Sequence, residues 1–265
     1  MKNTILQMIP AECPWRDTLY WYKATVSTNT LAKELAKKGA AHGTVILAGK
    51  QTGGRGRMGR SFLSPEGGLY LSVVLRPNCP ATELMHLTCA VGVATVKAVE
   101  QVAGFRPGIK WINDLVWESK KLGGILTELS INVKTGLVDH AIVGIGINCR
   151  EPEGGFDPEV AGIAASLSAA AGRAIAPEML AAALITALWK MDQELLSGKA
   201  AQMDAYRSLC VTLGKQILVL RGQDKAPAKA LDVDADGALL VQYADGSTEA
   251  VNSGEVSVRG MWDYV

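Results

Sequence analysis

The chain has 265 residues, 48% hydrophobic and 20% charged, enough for one large domain or a medium domain with a small companion. Lysines and arginines number 27 against 26 acidic residues, so no global field would hold the protein on nucleic acid or an anionic membrane. Five scattered cysteines without a Cys-x-x-Cys, and only three histidines, argue against a disulfide framework and a structural zinc site.

Residues 1–15 are interrupted by Pro10, Glu12 and Pro14, so they hold no secretory apolar core. The apolar run from Met179 to Trp189 is too short to span a bilayer. A soluble, cytoplasmic protein is the expectation.

Residues 19–26 are aromatic and β-branched and predict a strand. Ser27-Thr28-Asn29-Thr30 then offers N-caps for a helix ending at Gly39. Capping needs one of these residues; a run of hydroxyl and amide side chains at a strand-to-helix turn suits ligand contact equally. Strand 44–50 leads into a loop with glycines at 53, 54, 56 and 59 and with Arg55, Arg57 and Arg60. Glycine lets backbone approach a ligand, and guanidinium is a planar donor for phosphate and carboxylate. Arg/Gly stretches also occur as linkers and RNA-contacting tails. This one is neither terminal nor repeated and lies between two strand patterns, so it reads as a mobile anion clamp.

Strand 69–76 follows, then a helix from Pro80 to Gly104 whose His86 reads as surface or satisfied core. Ile109 to Trp117 predicts a strand pair around an Asn113-Asp114 turn. Lys120 to Leu129 predicts another strand, in which Gly123 and Gly124 suggest a bulge or a close ligand. Lys110 and Lys121 flank this hairpin, near enough to converge on one site, although a solvated edge strand carries lysines too. Residues 138–148 contain Gly144 and Gly146 and end in Asn148; with no third glycine or helix following, these glycines are not a dinucleotide fingerprint and read as room for a neighbour. Alanine-rich helices over 160–172, 177–197 and 200–210 read as packing elements. Beyond Gly214, short strands with Asp236-Gly237 and Asp245-Gly246 turns imply a small antiparallel barrel docked on the first domain.

Taken in order, these motifs resemble the biotin protein ligase family. The matching stretches are Ser27-Thr28-Asn29, Gln51 with Gly54-Arg55-Gly56-Arg57-Met58-Gly59-Arg60, Ser64-Pro65 with Gly67 to Ser72, Lys110 to Asp114, Lys121 to Leu126 with Glu128, Gly144 to Asn148, and Gly254-Glu255-Val256-Ser257. The resemblance implies an α/β (α+β) fold: a mixed-sheet catalytic domain over 1–212 and an SH3-like barrel over 213–265. It implies two steps. Biotin and ATP give biotinyl-5′-AMP and pyrophosphate, and a lysine of a biotin carboxyl carrier domain, as in acetyl-CoA carboxylase, then takes the biotinyl group. The implied catalytic residues are Arg57, Lys121 and Lys110. Those implied for biotin are Ser27, Thr28, Asn29, Gln51, Arg55, Gly56, Arg57, Lys121, Gly123 and Gly124. Those implied for ATP are Arg57, Arg60, Phe62, Lys110, Asn113, Asp114, Lys121 and Asn148, with Asp114 organising the nucleotide or Mg²⁺. No resident metal is implied, and a homodimer is compatible with the family.

Three positions depart from the family pattern. Met58 stands where arginine is frequent, Phe62 where tryptophan is common, and Ile112 where proline is usual. The few residues ahead of the first strand are too short for the helical DNA-binding domain some members carry, so no DNA partner is expected. A lipoate or octanoate ligase on the same fold is one alternative, which the polar Ser27-Thr28-Asn29 and Gln51 disfavour. A non-enzymatic nucleic-acid binder is the other, and the near-neutral charge speaks against it.

Overall fold

A strand buried at every residue needs cover on both faces, and 44–48 and 69–75 are such strands. The computed structural model describes residues 1–253 and 257–260. Its first elements are α1 (Lys2–Met8), β1 (Leu19–Tyr22), α2 (Thr28–Lys37), β2 (Thr44–Ala48), β3 (Leu69–Leu75) and α3 (Leu87–Ala103). Next come β4 (Gly108–Lys110), β5 (Asp114–Trp117), β6 (Lys120–Ile131), β7 (Val138–Ile147), α4 (Pro158–Ala161), α5 (Leu167–Ala171), α6 (Pro177–Gln193) and α7 (Lys199–Leu209). The last strands are β8 (Gln216–Arg221), β9 (Asp224–Val233), β10 (Leu239–Tyr243), β11 (Thr248–Val251) and β12 (Ser257–Gly260).

The large sheet has the order β1-β2-β3-β7-β6-β5-β4, parallel between β1 and β2 and antiparallel elsewhere. On one face α2 sets Ala32 and Ala36 against Ile46, Val74 and Ile142. On the other, α3 is apolar almost all round because the sheet, α6 and α7 enclose it. Ser27 caps α2 by accepting the Thr30 N–H, and Gly104 ends α3 at φ +81°.

The small sheet, β11-β10-β9-β8-β12, is antiparallel throughout. It docks on the β4–β5 turn and α7: Trp111 Nε1 donates to the Gly237 carbonyl at 2.9 Å, and Arg207 Nε to that of Val233 at 2.7 Å. Tyr206, fully buried, braces the same turn by donating to the Ile112 carbonyl at 3.2 Å.

Several boundaries differ from expectation. The first strand stops at Tyr22, and the expected helix from Pro80 begins as a 3-10 turn over Ala81–Leu84 before α3. The β4–β5 turn is made by Trp111, Ile112 and Asn113, with Asp114 already in β5 and the Trp111–Ile112 peptide cis. The helix expected over 160–172 is two short helices. Between them the chain runs beside β6: Lys121 N–H donates to the Ile163 carbonyl and Ala165 N–H to that of Lys121. Helix α1 was not foreseen; it is short, and its stability comes from burying Ile5 rather than from periodicity. Of the 254–257 motif, residues 254–256 lie outside the described residues.

Trp111→Phe keeps much of the buried ring but leaves the Gly237 carbonyl without its donor. A loss of about 1–3 kcal/mol is expected, read by calorimetry as a lower Tm. An unchanged Tm would mean that docking does not depend on this bond.

Candidate functional site

The register lays two rows of residues across the large sheet on the face toward α2. Ile46, Ser72, Gly144 and Leu126 make one; Ala48, Tyr70, Gly146, Gly124 and Asp114 make the next. A Cβ on Gly144 would lie 1.9 Å from Asn29 Oδ1, so the missing side chain is the slot that Asn29 fills. A Cβ on Gly146 would lie 2.5 Å from the Phe62 ring. The floor of the site is therefore bare backbone, on which α2 and the arginine loop set their side chains.

At the α2 end the side chains form one hydrogen-bonded series. Gln51 Oε1 accepts from Thr28 N at 2.7 Å and from Thr28 Oγ1 at 3.1 Å, and Gln51 Nε2 donates to Ser64 Oγ at 2.8 Å. Ser72 Oγ lies 2.6 Å from Asn29 Oδ1 and 2.8 Å from Thr28 Oγ1, with one proton to give between them. Asn29 Nδ2 donates to Glu128 Oε2 at 2.9 Å. Thr28, Asn29, Ser64 and Ser72 are buried, which their pairing in this series makes tolerable, and buried Ser27 accepts from the Thr30 N–H.

The opposite end is cationic. The arginine loop forms a narrow arm closed by backbone bonds from Gln51 N–H to the Ser64 carbonyl, Phe62 N–H to Gly54, and Gly56 N–H to Arg60. Its tip is a tight turn in which Met58 takes φ +54° and stands exposed. Arg57 reaches back from the arm: Nη1 donates to Asn113 Oδ1 at 2.9 Å, and Nη2 donates to the Ser253 carbonyl after β11. Burial lowers the Arg57 pKa from its ordinary value, against the pull of Asp114. Lys121 Nζ meets Asp114 Oδ1 at 2.7 Å and lies 5.9 Å from the Phe62 ring centre. Lys110 is buried and paired across β4–β5 with Asp114. Burial is the main cause that brings its pKa down to about 8; Asp114 opposes this, while Lys121, Arg259 and Arg60 add to it.

Most residues proposed from the sequence meet here. The cleft wall includes Ser27, Thr28, Asn29, Gln51, Arg55, Gly56, Arg57, Arg60, Phe62, Asn113, Asp114, Lys121 and Gly124. Three others lie outside it. Gly123 points into the sheet, where a Cβ would meet the Gly146 carbonyl at 2.4 Å. Asn148 Nδ2 donates to the Ala165 carbonyl at 3.1 Å, tying β7 to the segment beside Lys121. Lys110 is not part of the wall either; its charge acts from beyond Asp114. Sequence reasoning assigned no role to Ser72, Ser64 or Glu128. The signals were present: Ser72 is a lone hydroxyl in an apolar strand, and Glu128 shares the face of Gly124 by the two-residue period.

Two family models match the chain: Biotin/lipoate A/B protein ligase family over residues 21–148, and Biotin protein ligase C terminal domain over 212–259. The chain is 34% identical over 230 residues to the Bifunctional ligase/repressor BirA of Bacillus subtilis, covering 86% of this chain and 70% of that protein. It is 30% identical over 240 residues to the Biotin--[acetyl-CoA-carboxylase] ligase of Paracoccus denitrificans, covering 89% and 98%. The structure of the biotin protein ligase from Aquifex aeolicus in complex with biotin and ATP superimposes with a TM-score of 0.77 at 29% identity, covering 92% of this chain and 99% of that one. With its bare glycine floor, its polar recess and its arginine arm, this chain belongs to the biotin protein ligase family.

Proposed function

We propose that this protein activates biotin with ATP to biotinyl-5′-AMP and transfers the biotinyl group to a lysine of a biotin carboxyl carrier domain. One observation carries the reading: a hydrogen-bonding recess (Thr28, Gln51) and a cationic end (Arg57, Lys121) share one glycine-floored cleft. Biotin is a cyclic urea joined to a carboxylate, so it needs polar partners at one end and positive charge at the other. An alkyl acid would meet polar atoms it cannot hydrogen-bond.

In the first step the carboxylate oxygen attacks the α-phosphorus and pyrophosphate leaves. Two anions must approach, so catalysis rests on fixed positive charge where negative charge gathers. Asp114 holds the Lys121 ammonium at the cleft, and Lys121 there faces both the carboxylate and the α-phosphate. Arg57 and Arg60 bring charge from the arm, and Lys110 adds its charge from beyond Asp114. Phe62, lying on Gly146, supplies an aromatic face for the adenine. In the second step the carrier's neutral amine attacks the acyl carbon and AMP leaves. An arm closed over the adduct keeps out water, which would hydrolyse it.

Asp114 is the one carboxylate among the described cleft residues, and its Oδ1 is engaged by Lys121. No cluster of three potential metal ligands occurs among the described residues. The donor set does not fit a protein-held Mg²⁺, so no step is routed through one; a Mg²⁺ carried in on the ATP phosphates would need no such cage. Among the described residues no helix is long and apolar enough to cross a membrane.

Biotin-dependent pyrophosphate release from ATP tests the reading directly, and its absence would refute it. Lys121→Ala should slow that release about 10²–10³-fold. Its melting temperature should hardly move, because the side chain is 25% exposed and its ion pair is weakly stabilising. Unaltered release by this variant would remove Lys121 from the mechanism.

Lys110 gives a pH dependence. Its pKa of about 8 lies below the 10.5 of an unperturbed lysine, so its charge fades as pH rises through 8. Pyrophosphate release should therefore fall above about pH 8, and Lys110→Arg, which stays charged, should flatten that limb. Stability moves the other way. The folded state binds this proton less well than the unfolded state, so the penalty is full below about pH 8 and is relieved between there and 10.5. Retention of the falling limb in the arginine variant would exclude Lys110 as its source.

A further inference from the structure

Phe62 is fixed at its backbone: its N–H donates to the Gly54 carbonyl at 3.0 Å, and its own carbonyl accepts from Ser64 Oγ at 2.9 Å. Its ring is held differently. It lies half-buried on the backbone of Gly146, where a Cβ would come within 2.5 Å of it. Bare backbone supports a ring from below but does not stop it turning about χ1 into another staggered state. A ring that is to offer a flat face in one orientation needs a stop at its side.

Tyr70 is placed as that stop. It is the partner of Gly146 across β3–β7, on the same face of the sheet, and is only 1% exposed. Its ring meets that of Phe62 edge to face, with 6.5 Å between centres and 75° between planes. The tyrosine is itself tied at its far end, where Oη donates to the Pro65 carbonyl at 2.7 Å. Gly68 leaves room for that oxygen, since a Cβ there would lie 2.2 Å from it. Burial pushes the Tyr70 pKa up, so the hydroxyl stays protonated and remains a donor. Tyr70 does not itself line the cleft.

We propose that Tyr70 is a positioning residue for the nucleotide, a buried strut that sets the angle at which Phe62 offers its ring to the adenine. The proposal rests on the ligase reading, in which Phe62 faces that base. ATP then meets a ring already turned toward it, and the ordering of Phe62 is not charged to nucleotide binding.

Tyr70→Leu removes the edge contact and should raise the ATP KM roughly three- to tenfold, the scale of one aromatic pair, with kcat and the biotin KM unchanged. Phe62→Leu should raise the ATP KM at least as much, and adding Tyr70→Leu to it should raise it no further. Tyr70→Phe keeps the ring edge but loses the tie to Pro65, so it should melt lower than the parent while its ATP KM stays within about twofold. The chain has three phenylalanines, so with ring-labelled phenylalanine the Phe62 signal can be assigned by its loss in Phe62→Leu. In the parent without nucleotide that ring should show NMR cross-relaxation to Tyr70, a measurement that needs no Tyr70 variant to fold. Four results would each overturn the proposal and leave the ligase reading standing: no such cross-relaxation, a parental ATP KM in a Tyr70→Leu protein that binds biotin, additive losses in the double variant, or as large a loss in Tyr70→Phe as in Tyr70→Leu. A parent without biotin-dependent pyrophosphate release would remove the reading beneath the proposal, and the proposal with it.

Discussion

At Gly144 and Gly146 the face of β7 toward α2 carries no side chain, and the space is already claimed, by Asn29 in one case and Phe62 in the other. A methyl group at either position would push one of these out. The site is thus assembled from elements far apart in sequence that need the same bare strip of sheet. The order β3-β7-β6 puts Ser72 and Leu126 on either side of Gly144, and Tyr70 and Gly124 on either side of Gly146. Everything the pocket does depends on that register, since a slip of one residue would turn isoleucines into the cleft.

The polar and cationic ends are stabilised in different ways. The α2 end is a series of bonds among neutral side chains that ends on the Glu128 carboxylate, in which each buried polar atom helps to satisfy another. The arm end gathers like charges: the Lys110 pKa is brought down mainly by burial, and Lys121, Arg259 and Arg60 add to that against Asp114. Such a gathering of cations favours an anion, because negative charge brought among them offsets their mutual repulsion.

Much of this was legible in the sequence because it is local. The arginine arm, the capped turn at Ser27, the glycine alternation at 144–146 and the Asp-Gly turns of the small sheet are each written in a few adjacent residues. What escaped depends on contacts that adjacency does not encode. Ser72 and Glu128 matter because the sheet brings β3 and β6 to the same helix, across 43 and 99 positions respectively from Asn29. Residues 163–165 look helical by composition, yet they pair with Lys121, where a tertiary bond outweighs propensity. Asn148 is bonded to the Ala165 carbonyl, a neighbour no motif announces.

Arg57 holds Asn113 with one nitrogen and the Ser253 carbonyl with another, so the arm is fastened to the small sheet as well as to the large one. Lifting the arm therefore requires the seam between the two sheets to give up a contact. On the proposed reaction, the residence time of an adduct beneath the arm would then be set partly at a boundary that touches no substrate, with the small sheet as its latch.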